Sequence, residues 1–370
     1  MADGLGTKSL TDSSELIWSG SYTADADGHG AGINALSVNA DGRLMDLEIG
    51  VATPSPSFVA IHPSLPVVYA VNEVLGSVSA FRLTHDWKLR PLGESLRAGD
   101  AACHIAVDPL GRFVTVACWG DGLVILYELD AEGRTVARFE AERAVDPHPA
   151  GSDEPGADPD PHTSMQRQSR AHASLMLDDG RIMTTDLGYD LLRFWTYSPG
   201  VGLVGDHTVA LPPNSGPRHV VQHPDGRVFV VTEYSIAVVI AERSTDAPNS
   251  QFTVRSIVAA TAVGAREGDT AAEIALSPSG RYLYVGIRGS DRIATLAIDT
   301  ERVRAVADVP SGGSGPRHHL VRNGFLHVAH EHSNEVTTFK LDPDTGVPTR
   351  VIQRLALGSP TALVLAKPAD

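Results

Sequence analysis

The sequence predicts an all-β fold, a single seven-bladed β-propeller whose last blade is closed by strands from both termini. Two observations support this prediction: one strand-turn-strand pattern recurs along the 370 residues, and two shorter remnants of it stand at the ends. A repeat of roughly 45 residues is typical of a four-stranded propeller blade. Propellers occupy long chains as one unit, so residues 1–370 are expected to form one domain.

The repeat consists of an apolar strand, a glycine-containing turn, a second apolar strand, a polar loop and a third, alternating strand. Its clearest copies begin at Ser55, Ala101, Ser169, Gly216, Ala271 and Gly315. In the second copy the turn reads Leu110-Gly111-Arg112, and the glycine supplies the positive φ that a tight hairpin needs. No long segment shows the 3.6-residue period of a helix, so almost no helix is expected.

The two ends of the chain hold incomplete copies of the repeat, at residues 16–49 and 357–365. Each is too short to be a blade, but joined they would form a seventh blade and remove the open edge of a linear array. A segment rich in Pro, Asp, Gly and Ser, at about residues 142–168, is predicted to be a mobile loop inserted before the third copy.

The composition excludes several classes of partner. The chain carries 45 acidic and 30 basic residues, a net charge of −15, which argues against nucleic acid and anionic membranes. It has neither a long apolar run nor a signal-peptide pattern, so a cytoplasmic location is expected. Cys103 and Cys118 are predicted to lie about opposite each other on paired strands; a disulfide is conceivable there, but two reduced, buried thiols are favoured.

Two sets of polar residues are predicted to gather at the mouth of the central channel. The first set precedes each third strand by five residues and comprises Glu73, Trp119, Asp186, Glu233, Arg288 and Glu331. Opposite charges such as Glu233 and Arg288 are costly to bring together unless they are paired or solvated in a pocket. The alternative is an ordinary solvated rim at the ends of the strands.

The second set lies where the chain enters each innermost strand. It comprises His104, His172, Arg218, His219, Arg317 and His318. The sequence Ser-Gly-Pro-Arg-His occurs twice, from Ser215 and from Ser314, and its alternative explanation is repeated turn chemistry. The candidate substrate-binding residues from both sets are Glu73, His104, Asp186, His219, Arg317, His318 and Glu331.

The motifs SFVAIHP, HIAVDPLGRF, GPRHVVQHPDGRVFVVTE and LSPSGRYLYVGIRGSDRIA give the chain a family resemblance. Over nearly its whole length it resembles the seven-bladed lactonase family, which includes propeller-type 6-phosphogluconolactonases and fungal carboxymuconate cyclases. The resemblance implies catalytic roles for His172, Arg218, Glu233 and Arg288, and it implies that no metal or other cofactor is needed. A metal role for His330 and His332 was weighed, but they are interpreted as loop residues.

Opening a lactone requires a nucleophilic water and stabilisation of an oxyanion, and arginines suit the second task. Two flanking arginines would stabilise an ionised Glu233 and weaken it as a base, so His172 is favoured for proton transfer. The predicted function is metal-independent hydrolysis of an anionic or sugar-derived lactone, most closely 6-phosphogluconolactone. A lactonizing cyclase of aromatic catabolism and a non-catalytic binding propeller remain the alternatives.

Overall fold

Seven antiparallel sheets surround a central channel in a computed structural model that describes residues 15–148, 167–244 and 250–366. The innermost strand of each sheet contacts the innermost strands of the two neighbouring sheets, and this cycle returns to its starting strand. The predicted circular closure is therefore confirmed. Most of the predicted inserted loop, residues 149–166, lies outside the described residues.

In six blades the strands follow sequence order from the channel outward, whereas the closing blade places the C-terminal strand at the channel. The closing blade consists of β29 (Pro360–Leu365), β1 (Glu15–Ser21), β2 (Ile33–Val38) and β3 (Leu44–Val51). Blade 1 consists of β4 (Phe58–Ile61), β5 (Val67–Asn72), β6 (Ser77–Leu83), β7 (Leu89–Pro91) and the short β8 (Leu96–Arg97), which pairs with β6. Blade 2 consists of β9 (Ala102–Val107), β10 (Phe113–Cys118), β11 (Val124–Leu129) and β12 (Thr135–Glu140).

The remaining four blades repeat the same four-stranded arrangement. Blade 3 consists of β13 (Ala171–Met176), β14 (Ile182–Asp186), β15 (Leu191–Ser198) and β16 (Gly202–Ala210). Blade 4 consists of β17 (Pro217–Gln222), β18 (Val228–Thr232), β19 (Ala237–Arg243) and β20 (Phe252–Ala259). Blade 5 consists of β21 (Thr270–Leu276), β22 (Tyr282–Arg288), β23 (Arg292–Ile298) and β24 (Val303–Pro310). Blade 6 consists of β25 (Pro316–Arg322), β26 (Phe325–His330), β27 (Glu335–Leu341) and β28 (Pro348–Ala356).

The turns between the first and second strands follow the predicted glycine chemistry. Gly111 has a φ of +69° and Gly226 a φ of +93°, a conformation that side chains with a Cβ rarely adopt. A Cβ at Gly111 would also lie 2.5 Å from Nε2 of His62 in the preceding blade. In the part of the chain that the structure describes, the one helical element is a 3-10 turn at Ala24–Ala26, so the expectation of almost no helix is confirmed.

The two ends of the chain meet in the closing blade, as the sequence predicts. β29 pairs antiparallel with β1, with Leu363 opposite Ser19, so the C-terminal strand faces the channel and the N-terminal strands lie outside it. Leu363 is buried in an apolar cluster with Ile17 and Leu36 of the same blade and Val336 of blade 6. This packing joins the closing blade to blade 6.

Both cysteines are free and buried, in agreement with the favoured interpretation. Cys118 is paired with Ala102, and its sulfur accepts a hydrogen bond from the Gly99 N–H at 3.3 Å. The Cys103 sulfur instead faces the neighbouring blade, 3.5 Å from the carbonyl oxygen of His172. No helix within the described ranges is long and apolar enough to cross a membrane.

We predict that Leu363→Ala destabilises the propeller by about 2–5 kcal/mol, because it leaves a cavity where the two ends of the chain join. Leu363 is only 1% exposed. Urea unfolding followed by circular dichroism measures the change. Leu110→Ala is the matched control, because Leu110 is 74% exposed at a hairpin tip and its loss should cost less than about 0.5 kcal/mol. Equal, small losses in both variants would contradict the importance of this packing.

Candidate active site

Six of the seven innermost strands carry a β-bulge near their N-terminal end. In β17, for example, Pro217 pairs with Thr232 and Val220 with Val230, so two residues of β17 stand opposite one residue of β18. The same extra residue interrupts the pairing of β9, β13, β21, β25 and β29. A bulge leaves a residue out of the ladder and turns its side chain away from the regular alternation.

The two residues of each bulge form two sets in the channel. The first residues of the bulges are Cys103, His172, Arg218, Ala272, Arg317 and Thr361. The second residues are His104, Ala173, His219, Glu273, His318 and Ala362. The pairing of β4 with β5 in blade 1 shows no bulge, and this blade contributes Ser57 and Phe58. The bulges thus turn consecutive residues of one strand into members of two different sets.

A small recess with a cavity volume of about 10 Å³, room for about one water molecule, lies among these side chains. Its lining residues are Ser57, Phe58, Cys103, His172, Arg218, His219, Arg317 and Thr361. Five of these eight are first residues of a bulge. The structure therefore brings together predicted residues from blades 3, 4 and 6, with additional residues from blades 1 and 2 and the closing blade.

Glu233 links two arginines at the edge of this recess. Its Oε2 lies 2.9 Å from Nε of Arg218, and its Oε1 lies 3.1 Å from Nη2 of Arg288. The contact between Glu233 and Arg218 is an ion pair. It does not have hydrogen-bond geometry, and Nε of Arg218 has no hydrogen-bond partner among the described residues. Three of the four predicted catalytic residues are thus in direct contact, and His172 shares the recess with Arg218.

Arg317 is held by a second network, which includes a residue that the sequence analysis missed. Its Nη1 donates to Glu331 at 2.9 Å, and its Nη2 donates to the hydroxyl of Tyr22 at 2.6 Å. The Tyr22 hydroxyl donates to Glu73 at 3.0 Å. Although burial opposes it, the contacts with Tyr22, Glu331 and Glu73 raise the pKa of Arg317, which therefore stays charged. Tyr22 reaches this site only because the closing blade places the N-terminal segment beside blade 6.

One member of the predicted ring was assigned one position too early. Asp186 pairs with Leu191, the first residue of β15, whereas in blade 4 it is Thr232 that pairs with the first residue of its third strand. The position equivalent to Glu233 in blade 3 is therefore Leu187, which is buried. The predicted position is off by one residue because β15 begins with two leucines, of which the second, and not the first, faces inward.

The contacts of Asp186 show what this carboxylate does instead. It accepts hydrogen bonds from the backbone N–H groups of Arg170 at 2.8 Å, Gly188 at 3.1 Å and Tyr189 at 3.0 Å. Asp186 therefore stabilises the loops of its own blade and lies outside the recess. Trp119, another member of the predicted ring, supports the Arg170 guanidinium 3.8 Å above its ring centre.

Several buried polar atoms around the recess have no hydrogen-bond partner within the described ranges. They are Ser57 Oγ, His172 Nδ1, Arg218 Nη1, Arg288 Nε and Thr361 Oγ1. Buried polar groups in folded proteins are nearly always satisfied by protein or by ordered water. Four of these groups belong to residues that line the recess, and together they indicate a place for a polar ligand or water.

Burial shapes the protonation of the two central residues. Burial first, and then the charge of Arg218, holds the pKa of His172 well below its usual range, so this imidazole is neutral at physiological pH. Burial, together with repulsion from Arg288, lowers the pKa of Arg218 to about 10, which still leaves the guanidinium charged. The recess thus offers a neutral histidine beside a positive charge.

Below the arginines lies a cluster of rings around one carboxylate, Glu273, which the sequence analysis also missed. Glu273 is buried and contacts Nδ1 of His219 and, at 3.4 Å, Nε2 of His318. His104 stacks on Phe58 with ring centres 4.2 Å apart. The one signal in the sequence was an acidic residue inside the apolar run Thr270–Leu276.

The interpretation of His330 as a loop residue is wrong, because His330 is the last residue of β26, whereas His332 lies in the turn that follows. His330 is fully buried, whereas the His332 side chain is 67% exposed. Within the part of the chain that the structure describes, no group of three or more His, Cys, Asp or Glu side chains is arranged to hold a metal. A larger cleft on the outer strands β15 and β16, lined by Arg193, Trp195 and His207 among others, lies away from these residues.

Seven antiparallel sheets closed into a ring around a channel with polar side chains at its hub define a β-propeller. The family model "Lactonase, 7-bladed beta-propeller" matches residues 16–365. The chain therefore belongs to the lactonase family of seven-bladed β-propellers.

Individual relatives agree with this membership. The chain is 24% identical to the 6-phosphogluconolactonase of Bacillus subtilis over 339 residues, which cover 88% of this chain and 91% of that protein. A periplasmic gluconolactonase from Pseudomonas aeruginosa has the same fold, with a TM-score of 0.83, 23% identity, and coverage of 96% of this chain and 99% of that one. A Lactobacillus plantarum protein superimposes with a TM-score of 0.84 at 21% identity, covering 96% of this chain and 100% of that one. The expected cytoplasmic location stays a prediction.

We predict that His318 makes the protein less stable as the pH falls. Burial lowers its pKa from the ordinary 6.5 to about 4, so the folded state resists protonation that the unfolded chain accepts. Its stabilising contribution is complete above pH 6.5 and is lost as the pH falls toward 4, with a slope of up to about 1.4 kcal/mol per pH unit. Urea unfolding of His318→Gln across this window should show a shallower decline than the wild type; parallel curves would contradict the prediction.

Proposed function

We propose that the protein hydrolyses a lactone in the recess without a metal ion, and that the substrate is an anionic or sugar-derived lactone such as 6-phosphogluconolactone. One observation carries the proposal: buried, unpartnered polar groups of Ser57, His172, Arg218 and Thr361 line one small recess, and Arg288 lies beside it on Glu233. Membership of the lactonase family supports the reaction type. Metal independence stays a prediction, which an assay after dialysis against EDTA checks.

Arg218 is suited to stabilise the charge that develops when water attacks the lactone carbonyl. Its Nη1 has no hydrogen-bond partner among the described residues, and it lines the recess. A fixed donor that is already charged needs no rearrangement as the oxyanion forms. Because Glu233 contacts the other side of the guanidinium, the orientation of Arg218 is set before a substrate arrives.

Glu233 and His172 are the two candidates that the sequence analysis weighed for proton transfer. The Glu233 carboxylate is shared between Arg218 and Arg288, so both of its oxygens are engaged in bridging the two arginines. His172 is neutral and has an unpartnered Nδ1. These contacts favour a histidine over Glu233 for proton transfer, and both His172 and His219 line the recess.

The lining also bears on the substrate. The hydroxyls of Ser57 and Thr361 are unsatisfied and suit a ligand that carries hydroxyl groups. Nε of Arg288 is a further unpartnered donor of the kind that binds a carboxylate or phosphate oxygen. A hydroxylated lactone with an acidic substituent would use both kinds of group. Glu73 and Glu331 serve this site indirectly, because they hold Tyr22 and Arg317 in place.

We predict that Arg218→Ala lowers kcat/KM for lactone hydrolysis by roughly 100- to 1000-fold, because the oxyanion loses its charged donor. A pH-stat assay with a panel of phosphorylated sugar lactones, plain sugar lactones and carboxylated lactones measures it. Arg97→Ala is the matched control, because the Arg97 side chain is 85% exposed and should leave the rate unchanged.

The same panel separates the alternative functions. Wild-type turnover of a carboxylated lactone alone would favour the lactonizing cyclase. No turnover of any lactone, with both variants folded by circular dichroism, would favour the non-catalytic binding propeller and end the proposal.

We predict that His172→Ala loses at least about 100-fold in kcat, whereas Glu233→Gln retains more activity and loses mainly in KM. The physical reason is that His172 offers an unpartnered ring nitrogen to the recess, while Glu233 acts through the arginines it orients. Steady-state kinetics of the two variants decide. An active His172→Ala together with an inactive Glu233→Gln would reverse the assignment.

A further inference from the structure

The hydrogen bonds below the recess determine which nitrogens of His318 and His219 carry protons. Nδ1 of His318 accepts a hydrogen bond from the Leu363 N–H at 3.3 Å, so a neutral His318 carries its proton on Nε2. That Nε2 lies 3.4 Å from Oε2 of Glu273. His318 therefore presents a hydrogen toward the carboxylate.

The same carboxylate oxygen sets the state of His219. Nδ1 of His219 hydrogen-bonds to Oε2 of Glu273, and a carboxylate can only accept. Neutral His219 therefore holds its proton on Nδ1 and leaves the lone pair on Nε2. His219 lines the recess, so it combines access to the ligand space with a fixed tautomer.

His172 does not have this arrangement. Its Nδ1 has no partner within the described ranges, and no acidic side chain contacts its ring. The two imidazoles are neighbours, with ring centres 5.2 Å apart. A base that is oriented by a carboxylate through its other nitrogen is the arrangement used in hydrolytic triads, where the carboxylate also stabilises the imidazolium.

Resting on the proposed lactone hydrolysis, we propose that Glu273 is a positioning residue that makes His219 the general base of the reaction. A proton moves from the attacking water to Nε2 of His219 as the water oxygen bonds to the carbonyl carbon. Arg218 stabilises the oxyanion, and His172 donates a hydrogen bond to it as a neutral imidazole. When the ring C–O bond breaks, the leaving alkoxide takes the proton back from His219, and the new carboxylic acid releases its own proton to solvent.

Titratable or charged groups face His219 from five blades, while β4 contributes the Phe58 ring. These groups are His104 on β9, His172 on β13, Arg218 on β17 itself, Arg288 on β22, Glu273 on β21, and Arg317, His318 and His319 on β25. Among the second residues of the bulges, Glu273 is the acidic one in the described chain. Glu273 is thus the residue among these second bulge residues whose negative charge can offset an imidazolium.

Glu273→Gln tests the proposal through kinetics. We expect kcat to fall roughly 100-fold with KM changed less than about 3-fold, because the variant keeps the shape of the recess. Without the carboxylate the imidazolium loses stabilisation, so the acidic limb of the kcat/KM profile should move to lower pH by about one unit. Glu273→Asp should recover part of the rate.

The matched control is Glu132→Gln, which removes an exposed carboxylate from a hairpin turn and should change neither rate nor profile. An unshifted pH profile in a folded Glu273→Gln, with the acidic limb moving in His172→Ala instead, would overturn the proposal and return the base to His172. Lactone hydrolysis that survives in the His219→Gln variant would also overturn the proposal.

A second measurement does not depend on turnover or on the folding of a variant. The ¹⁵N shifts of the wild-type histidines, with His219 assigned by comparison with His219→Gln, report the tautomer directly. We expect the Nδ1–H form for His219 at neutral pH; the Nε2–H form would overturn the positioning role of Glu273. If the wild type hydrolysed no lactone while His219 showed the Nδ1–H form, the proposed function would fail and only the positioning by Glu273 would stand.

Discussion

The antiparallel pairing of β29 with β1 is the interaction on which the rest of the molecule depends. It turns a row of repeats into a ring, so that every innermost strand has a neighbour on each side. Without that pairing the first and last blades would expose open sheet edges, and Tyr22 would not lie beside Arg317. The buried contacts of Leu363 show that the pairing is supported by side-chain packing as well as by the ladder.

The bulges convert this ring into a site. A regular strand would send successive side chains to opposite faces, but the bulge directs both Arg218 and His219 into the channel region. Repetition in six blades gives two concentric sets of side chains with different chemistry. One set carries the arginines and His172, and the other carries the rings that surround Glu273.

The three arginines of the site differ in how they are paired with carboxylates. Arg317 is fully engaged with Glu331 and Tyr22, whereas Arg218 and Arg288 share one carboxylate and keep unpartnered nitrogens. The carboxylates Glu73, Glu233 and Glu331 equal the three guanidiniums in number, so they orient these groups and leave no excess of formal positive charge among them. Burial keeps the histidines neutral beside those charges, so that they can accept or share protons at physiological pH.

The seven-bladed ring and its closure by both ends could be predicted from the sequence, because strand periodicity, glycine turns and repeated motifs are local signals. His172, Arg218, Glu233 and Arg288 became catalytic candidates through the family resemblance. Only the tertiary structure decided that Asp186 serves its own loops, because one residue of register separates the two faces of a strand. It alone revealed Tyr22 and Glu273, because their partners lie in other blades. Contacts between residues so far apart in sequence leave no local pattern to read.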